Sequence, residues 1–177
     1  MSINDIRYQC LGYIALNVGD LDQSRHFYEA LVGLQADAAS DNGMAFLRCS
    51  RKHHDILLIE NSTQTGLKRI GWQMESAHAL AAVRSQCQAK GLAIVEVDAK
   101  EVELLGIGEA FRISDPTTGV TLEFYAHMQQ AATNYQTTHT QIQRLGHLVI
   151  NSTDRAATQD FYLNTLNFRV SDEIEGM

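Results

Sequence analysis

Short apolar runs bounded by polar turns alternate along this chain with a few stretches of helical period. "YIALNV", from Tyr13, is an apolar run of strand type. Asp20 follows where a helix N-cap belongs, with Gln23 three residues on, the spacing of a capping box. Behind it Phe27, Tyr28, Leu31 and Leu34 fall on one helical face, which predicts that this face is core. "MAFLRC" from Met44 and "DILLIE" from Asp55 read as neighbouring strands, and "KRIGWQMES" from Lys68 as another. "AHALAAVRSQCQAKG", Ala77 to Gly91, reads as a helix with a glycine stop. "LAIVEV", "EAFRIS" and "TLEFYA" are further strands, the last two joined by the turn "DPTTGV" at Asp115 to Val120. Residues ~10–60 thus read β-α-β-β and ~68–126 read β-α-β-β-β, two similar halves. "HMQQAATNYQTTHTQIQ", His127 to Gln143, has no periodic apolar face and reads as a linker.

After that linker the opening pattern returns. "RLGHLVINSTDRAATQDFY", from Arg144, repeats "CLGYIALNVGDLDQSRHFY", from Cys10. At a constant offset of 134, Leu11 meets Leu145, Gly12 Gly146, Asn17 Asn151, Asp20 Asp154, Phe27 Phe161 and Tyr28 Tyr162. Tyr13 meets His147. A gapless register with one strand-to-helix order predicts that the chain begins the same structural unit twice. The expected division is a double βαβββ domain over 1–126, a linker over 127–143 and the opening strand and helix of a second domain over 144–177. The first unit takes about 115 residues, so a second complete barrel is not expected in the 34 that remain.

Composition narrows the classes. With 45% apolar and 20% charged residues and one proline, the chain is that of an ordinary globular protein. A net charge of −7 without a basic stripe argues against nucleic acid and anionic lipid as partners. No apolar run approaches the ~20 residues of a membrane span, and "MSINDIRYQC" has no signal core. The three cysteines, Cys10, Cys49 and Cys87, make no CxxC pair, so neither a disulfide framework nor a zinc knuckle is indicated, and a reduced, cytoplasmic setting is expected.

Two βαβββ-like halves making one domain, and that domain begun twice, resemble the vicinal oxygen chelate superfamily, which includes glyoxalases, bleomycin-resistance proteins and extradiol dioxygenases. The two-domain extradiol ring-cleavage dioxygenases are the most similar subgroup. The residues that carry the likeness are "LGYIALNVGDLDQSRHFYEALVGL", "RKHHDILLIE", "KRIGWQMES", "FRISDPTTGVTLEFY" and "LGHLVINSTDRAATQDFYLNTLNFRVSD". It implies an α+β fold, with paired βαβββ modules forming a mixed-sheet barrel. It also implies a cytoplasmic, homo-oligomeric oxidoreductase of aromatic catabolism that cleaves a catecholic diol with O₂. The implied metal is Fe(II), with Mn(II) as the substitute, held by two histidines and a glutamate that leave open positions for both reactants.

On that resemblance His147, in the "LGH" strand, is the first metal ligand. Its partners project to about 205 and 257, beyond this sequence. The same three places in the first unit hold Tyr13, Gly71 and Glu123. Glycine has no ligating side chain, so the resemblance implies a first unit that is a metal-free scaffold, with Glu123 the weaker metal candidate. Against these readings stand plainer ones. His147 alone reads as a hydrogen-bonded strand histidine, and Glu123 as a partly buried carboxylate at a barrel mouth. His53 and His54 read as a polar strand edge beside a solvated turn, since adjacent strand residues point to opposite faces. "GIG" at Gly106 to Gly108 lacks the strand-and-helix setting of a dinucleotide fingerprint. Two rival functions remain open: a glyoxalase-type metal-dependent isomerase or thiol transferase, and a metal-free small-molecule binding module with its cleft between the halves of 1–126.

Overall fold

The computed structural model describes residues 2–36 and 43–173. The first half runs β1 (Tyr8–Val18), α1 (Leu21–Phe27), β2 (Gln35–Ala36), β3 (Met44–Arg48) and β4 (Ile56–Glu60). The second runs β5 (Gly66–Met74), α2 (Ala77–Ala89), β6 (Val95–Glu96), α3 (Ala99–Leu105), β7 (Ala110–Ser114) and β8 (Thr121–Tyr125), and α4 (Arg155–Asp160) follows later. The eight strands of the described residues form one mixed sheet, ordered β2-β3-β4-β1-β5-β8-β7-β6. β4 lies parallel to β1 and β8 parallel to β5, while β1 and β5 pair antiparallel at the centre. The halves are therefore two copies of one βαβββ motif.

The α+β class and the paired modules are present, but the expected barrel is not closed. Among the described residues β2 and β6 are the free edges, and each offers two residues to a ladder. Closure requires edge strands paired along a seam, and two residues make no seam. The strand pattern alone also missed β2 and α3. Their stretches are too short for a period to show.

The helix after β1 departs from its predicted face. α1 is followed at once by a π-helical turn, Tyr28–Val32. A π turn carries more residues per revolution than 3.6, so Leu31 rotates out of line with the α1 positions before it. Phe27 is 48% exposed and Leu31 67%. Tyr28, Val32 and Leu34 remain inward, against Ala45, Leu47 and Leu58. The larger core lies under α2, where Leu80, Val83 and Cys87 meet Ile70, Met74, Phe111 and Phe124.

Residues 144–150 form no strand, contrary to the "LVI" expectation, because no neighbour supplies a ladder. Leu145, Leu148 and Ile150 nevertheless pack against the larger core. The rest of the repeat is reproduced in detail. Asp20 and Asp154 each cap their helix through the backbone N–H three residues on, at 2.8 and 2.9 Å. A π turn follows each helix, the second over Phe161–Thr165. Gly33 and Asn167, 134 apart, both take positive φ. Leu34 and Phe168 then donate to the carbonyls of Tyr28 and Tyr162, both at 2.9 Å.

This second copy is docked on the first. Phe161 and Leu166 are buried in the α2 core. The Tyr8 hydroxyl donates to the Leu166 carbonyl (2.8 Å), Asn167 to the Ile6 carbonyl (3.0 Å) and the Tyr162 hydroxyl to Asp115 (3.0 Å). The stretch 127–143 is tied down as well. Thr138 and Thr140 donate to the carbonyls of Gly33 and Val32, which the end of the π turn leaves unpaired.

Candidate functional site

The register of the central strands lines up one row of residues across the sheet. Tyr13 on β1 is opposite Gly71 on β5, Gly71 is opposite Glu123 on β8, and Glu123 is opposite Arg112 on β7. Gly71 leaves a gap in that row, and the Tyr13 ring lies across it. A Cβ on Gly71 would overlap the ring. The Tyr13 hydroxyl thereby reaches Glu123 and donates to Oε1 at 2.5 Å. Arg69, two residues before Gly71 on the same face, donates from Nε to the Tyr13 oxygen at 2.7 Å. Arg112 donates from Nε to Glu123 Oε2 at 2.7 Å. Glu101 on α3 closes the network, 3.1 Å from Arg69 and 2.6 Å from Arg112.

Two arginines and two glutamates thus neutralise one another between the sheet and α3, with Glu101 the partly exposed member. Such a cluster is costly to desolvate and is held only because each charge is both paired and hydrogen-bonded. Burial, and then the Glu123 charge, push the Tyr13 phenol well above its ordinary value, so it stays protonated and donates. Burial acts to raise the Glu101 carboxyl, but Arg112 and Arg69 outweigh it and hold it below the usual carboxylate range.

The other half supplies a counterpart. The parallel β1–β4 ladder places Asp55 beside Tyr13 as the β5–β8 ladder places Glu123 beside Gly71. Asp55 is buried, and its Oδ2 accepts from the Cys49 N–H and the Ser50 hydroxyl, both at 2.8 Å. His54 is buried too, its ring 4.5 Å from that of Tyr13 and its Nδ1 3.0 Å from His53 Nδ1. Burial first, and then His53, Arg69 and Lys52, hold the His54 imidazole well below its ordinary value. The solvated strand edge expected for "RKHHD" is therefore corrected. Its last two residues turn inward, because the β4 ladder draws them under the sheet.

The sequence-predicted site residues fare differently. Glu123 is wholly buried and saturated, not partly exposed at a mouth. Tyr13 and Gly71 adjoin it as a packed pair. His147 is exposed in the irregular 144–150 segment and takes no part in this network. Arg69, Arg112, Glu101 and Asp55 were missed. A signal existed for two of them: Arg69 and Arg112 interrupt apolar strands, and Arg69 shares the parity of Gly71. Among the described residues no group of three or more His, Cys, Asp or Glu side chains is disposed to hold a metal. The residues at the first unit's three metal positions do not fit Fe(II). The tyrosine fills the space, the glycine gives no donor, and the glutamate oxygens are taken by Tyr13 and Arg112.

The chain belongs to the Glyoxalase/Bleomycin resistance protein/Dioxygenase superfamily, whose family model matches residues 11–124. Among characterised relatives it is 27% identical over 169 residues to an iron-dependent extradiol dioxygenase of Rhodococcus jostii (strain RHA1), covering 93% of this chain and 56% of that protein. It is 26% identical over 175 residues to biphenyl-2,3-diol 1,2-dioxygenase of Paraburkholderia xenovorans (strain LB400), covering 93% and 57%. Among solved structures, a halotolerant catechol dioxygenase superposes with a TM-score of 0.82 at 19% identity, over 92% of this chain and 56% of that one. A catechol 2,3-dioxygenase superposes at 0.75 with 23% identity, over 91% and 55%. The two superpositions establish the fold. The chain spans about half the length of the curated relatives it matches. No helix among the described residues is long and apolar enough to cross a membrane.

Proposed function

We propose that this chain is part of an Fe(II)-dependent extradiol ring-cleavage dioxygenase acting on a catecholic diol and O₂, with Mn(II) as the alternative metal. Residues 1–126 form its metal-free domain, 127–143 the linker, and 144–177 the opening of its metal-bearing domain. His147 is the first metal ligand. The carrying observation is the exchange at one position of the repeat. Where the first copy has Tyr13, closed into a buried ion network, the second has an exposed histidine. The remaining ligands come from outside this sequence.

The metal-free binding reading needs a cleft between the halves. Tyr13, Phe46, Leu57 and Tyr125 pack into a core where the halves meet, which speaks against a deep cleft there.

The test joins this chain, at residue 177, to the C-terminal half of the Rhodococcus relative. Each protein is loaded anaerobically with Fe(II) and assayed on catechol and 2,3-dihydroxybiphenyl. The hybrid is expected to form the yellow ring-fission product and to lose it in His147→Ala. This chain alone is expected to form none. A folded hybrid whose activity survives His147→Ala would overturn the assignment of His147. Activity of the chain alone, lost in His147→Ala, would show that its own copies complete the site.

A further inference from the structure

Of the three free cysteines, Cys49 and Cys87 are buried. Burial pushes both thiols up to about 12, with Asp55 adding to the effect at Cys49. Cys10 differs. It stands half-exposed on β1, at the wall of a cavity of about 360 Å³ that Lys52, Gln73, Met128 and Gln130 also line. The Lys52 ammonium donates to Cys10 Sγ at 3.5 Å and to the Gly12 carbonyl at 3.1 Å. The thiol donates in turn toward Gln73 Oε1 at 3.7 Å. Behind the amine lies Asp55 Oδ1, buried without a hydrogen bond and 3.9 Å from Nζ. The amine is therefore fixed from two sides while its third neighbour is the sulfur.

We propose that Cys10 and Lys52 are an oxidative modification site, at which dioxygen entering this cavity links them as an N–O–S bridge. The step balances as R–SH + R′–NH₃⁺ + O₂ → R–S–O–NH–R′ + H₂O + H⁺. The S–H bond, two N–H bonds and the O–O bond break, and one S–O bond, one O–N bond and the two O–H bonds of water form. Sulfur and nitrogen each give up two electrons, and the four reduce both oxygen atoms, one of which leaves as water. The bridge needs the two heteroatoms closer than they stand, which the flexible four-carbon stem of Lys52 allows. Cys10 belongs to β1 and Lys52 to the β3–β4 connection, which itself pairs with Gln130. The bridge therefore ties the central strand to the stretch that follows β8. Like other low oxidation states of cysteine, it is open to reversal by thiols.

The full chain is purified anaerobically, divided, and held in air-saturated or oxygen-free buffer before intact-mass measurement and peptide mapping. In air, the peptides holding Cys10 and Lys52 are expected to join, with a gain of one oxygen and a loss of two hydrogens. One of the three thiols disappears, and dithiothreitol restores both peptides. Lys52→Arg keeps the cation and Cys10→Ser the volume, and neither is expected to show the change. An unmodified chain in air would overturn the proposal. So would oxygen added to Cys10 without hydrogen loss, a hydrogen loss without oxygen, or a mass change that persists in Lys52→Arg.

Discussion

Phe27 and Phe161 hold the same position in the two copies of the repeat, and the fold treats them oppositely. Phe27 is 48% exposed, whereas Phe161 is 6% exposed, against the core under α2. Truncating each to alanine is thus an internally controlled experiment. A buried Phe→Ala change costs ~3–5 kcal/mol through lost transfer energy and the cavity left behind. Phe161 keeps 6% of its surface exposed, so the lower figure of ~3 kcal/mol is the expected one. At roughly 2–4 °C per kcal/mol for a chain of this size, Phe161→Ala should lower Tm by about 6–12 °C. Phe27→Ala is a surface change and should stay within ~0.5 kcal/mol, or about 2 °C. Circular dichroism reads the whole fold. The single tryptophan, Trp72, reads the docked segment, since its ring stands 4.9 Å from Phe168 and 5.8 Å from Tyr8. The two signals should melt together. Equal melting of the two variants, or an unchanged Tm in Phe161→Ala, would refute the reasoning that the second copy draws its stability from the first.

The network across β1, β5, β8 and β7 yields two further tests. Tyr13→Phe should cost ~1–3 kcal/mol by leaving Arg69 and Glu123 short of a partner. Glu123→Gln should cost more, ~3–5 kcal/mol, by uncovering buried guanidinium charge, and urea melts of the two variants check that order. Gly71→Ala should cost ~1–3 kcal/mol from overlap with the Tyr13 ring, yet be nearly neutral in a Tyr13→Ala background, which a double-mutant cycle measures. His54 sets a pH dependence. Its imidazole is held well below the ordinary 6.5, so as pH falls past that value the unfolded chain takes up a proton that the folded chain refuses. Stability is fully present above about 6.5 and declines below it, by up to ~1.4 kcal/mol per pH unit from this residue. Chemical denaturation between about pH 7 and 5 should show His54→Phe with the shallower decline.

Local chemistry made much of this molecule legible in its sequence. The helix caps at Asp20 and Asp154, the glycine stop of α2 and the strand runs of β3, β4, β5, β7 and β8 are each set by a few neighbouring residues, so periodicity and cap residues disclose them. The repeat was legible for the same reason, since copied local patterns survive as a register. Tertiary structure decided what depends on partners distant in the chain. Phe27 and Phe161 share a pattern, but only Phe161 is buried, because the α2 core meets that side of the second copy and solvent meets that side of the first. "LVI" has the composition of a strand and forms none, since a strand exists only through its neighbour's ladder. Glu123 carries no local sign that Tyr13, 110 residues away, would donate to it across the gap at Gly71. Nor does "RKHHD" show that His54 and Asp55 would be drawn inside. The row from Tyr13 to Arg112 arises from strand register, which is fixed by packing four strands together and is absent from any one of them.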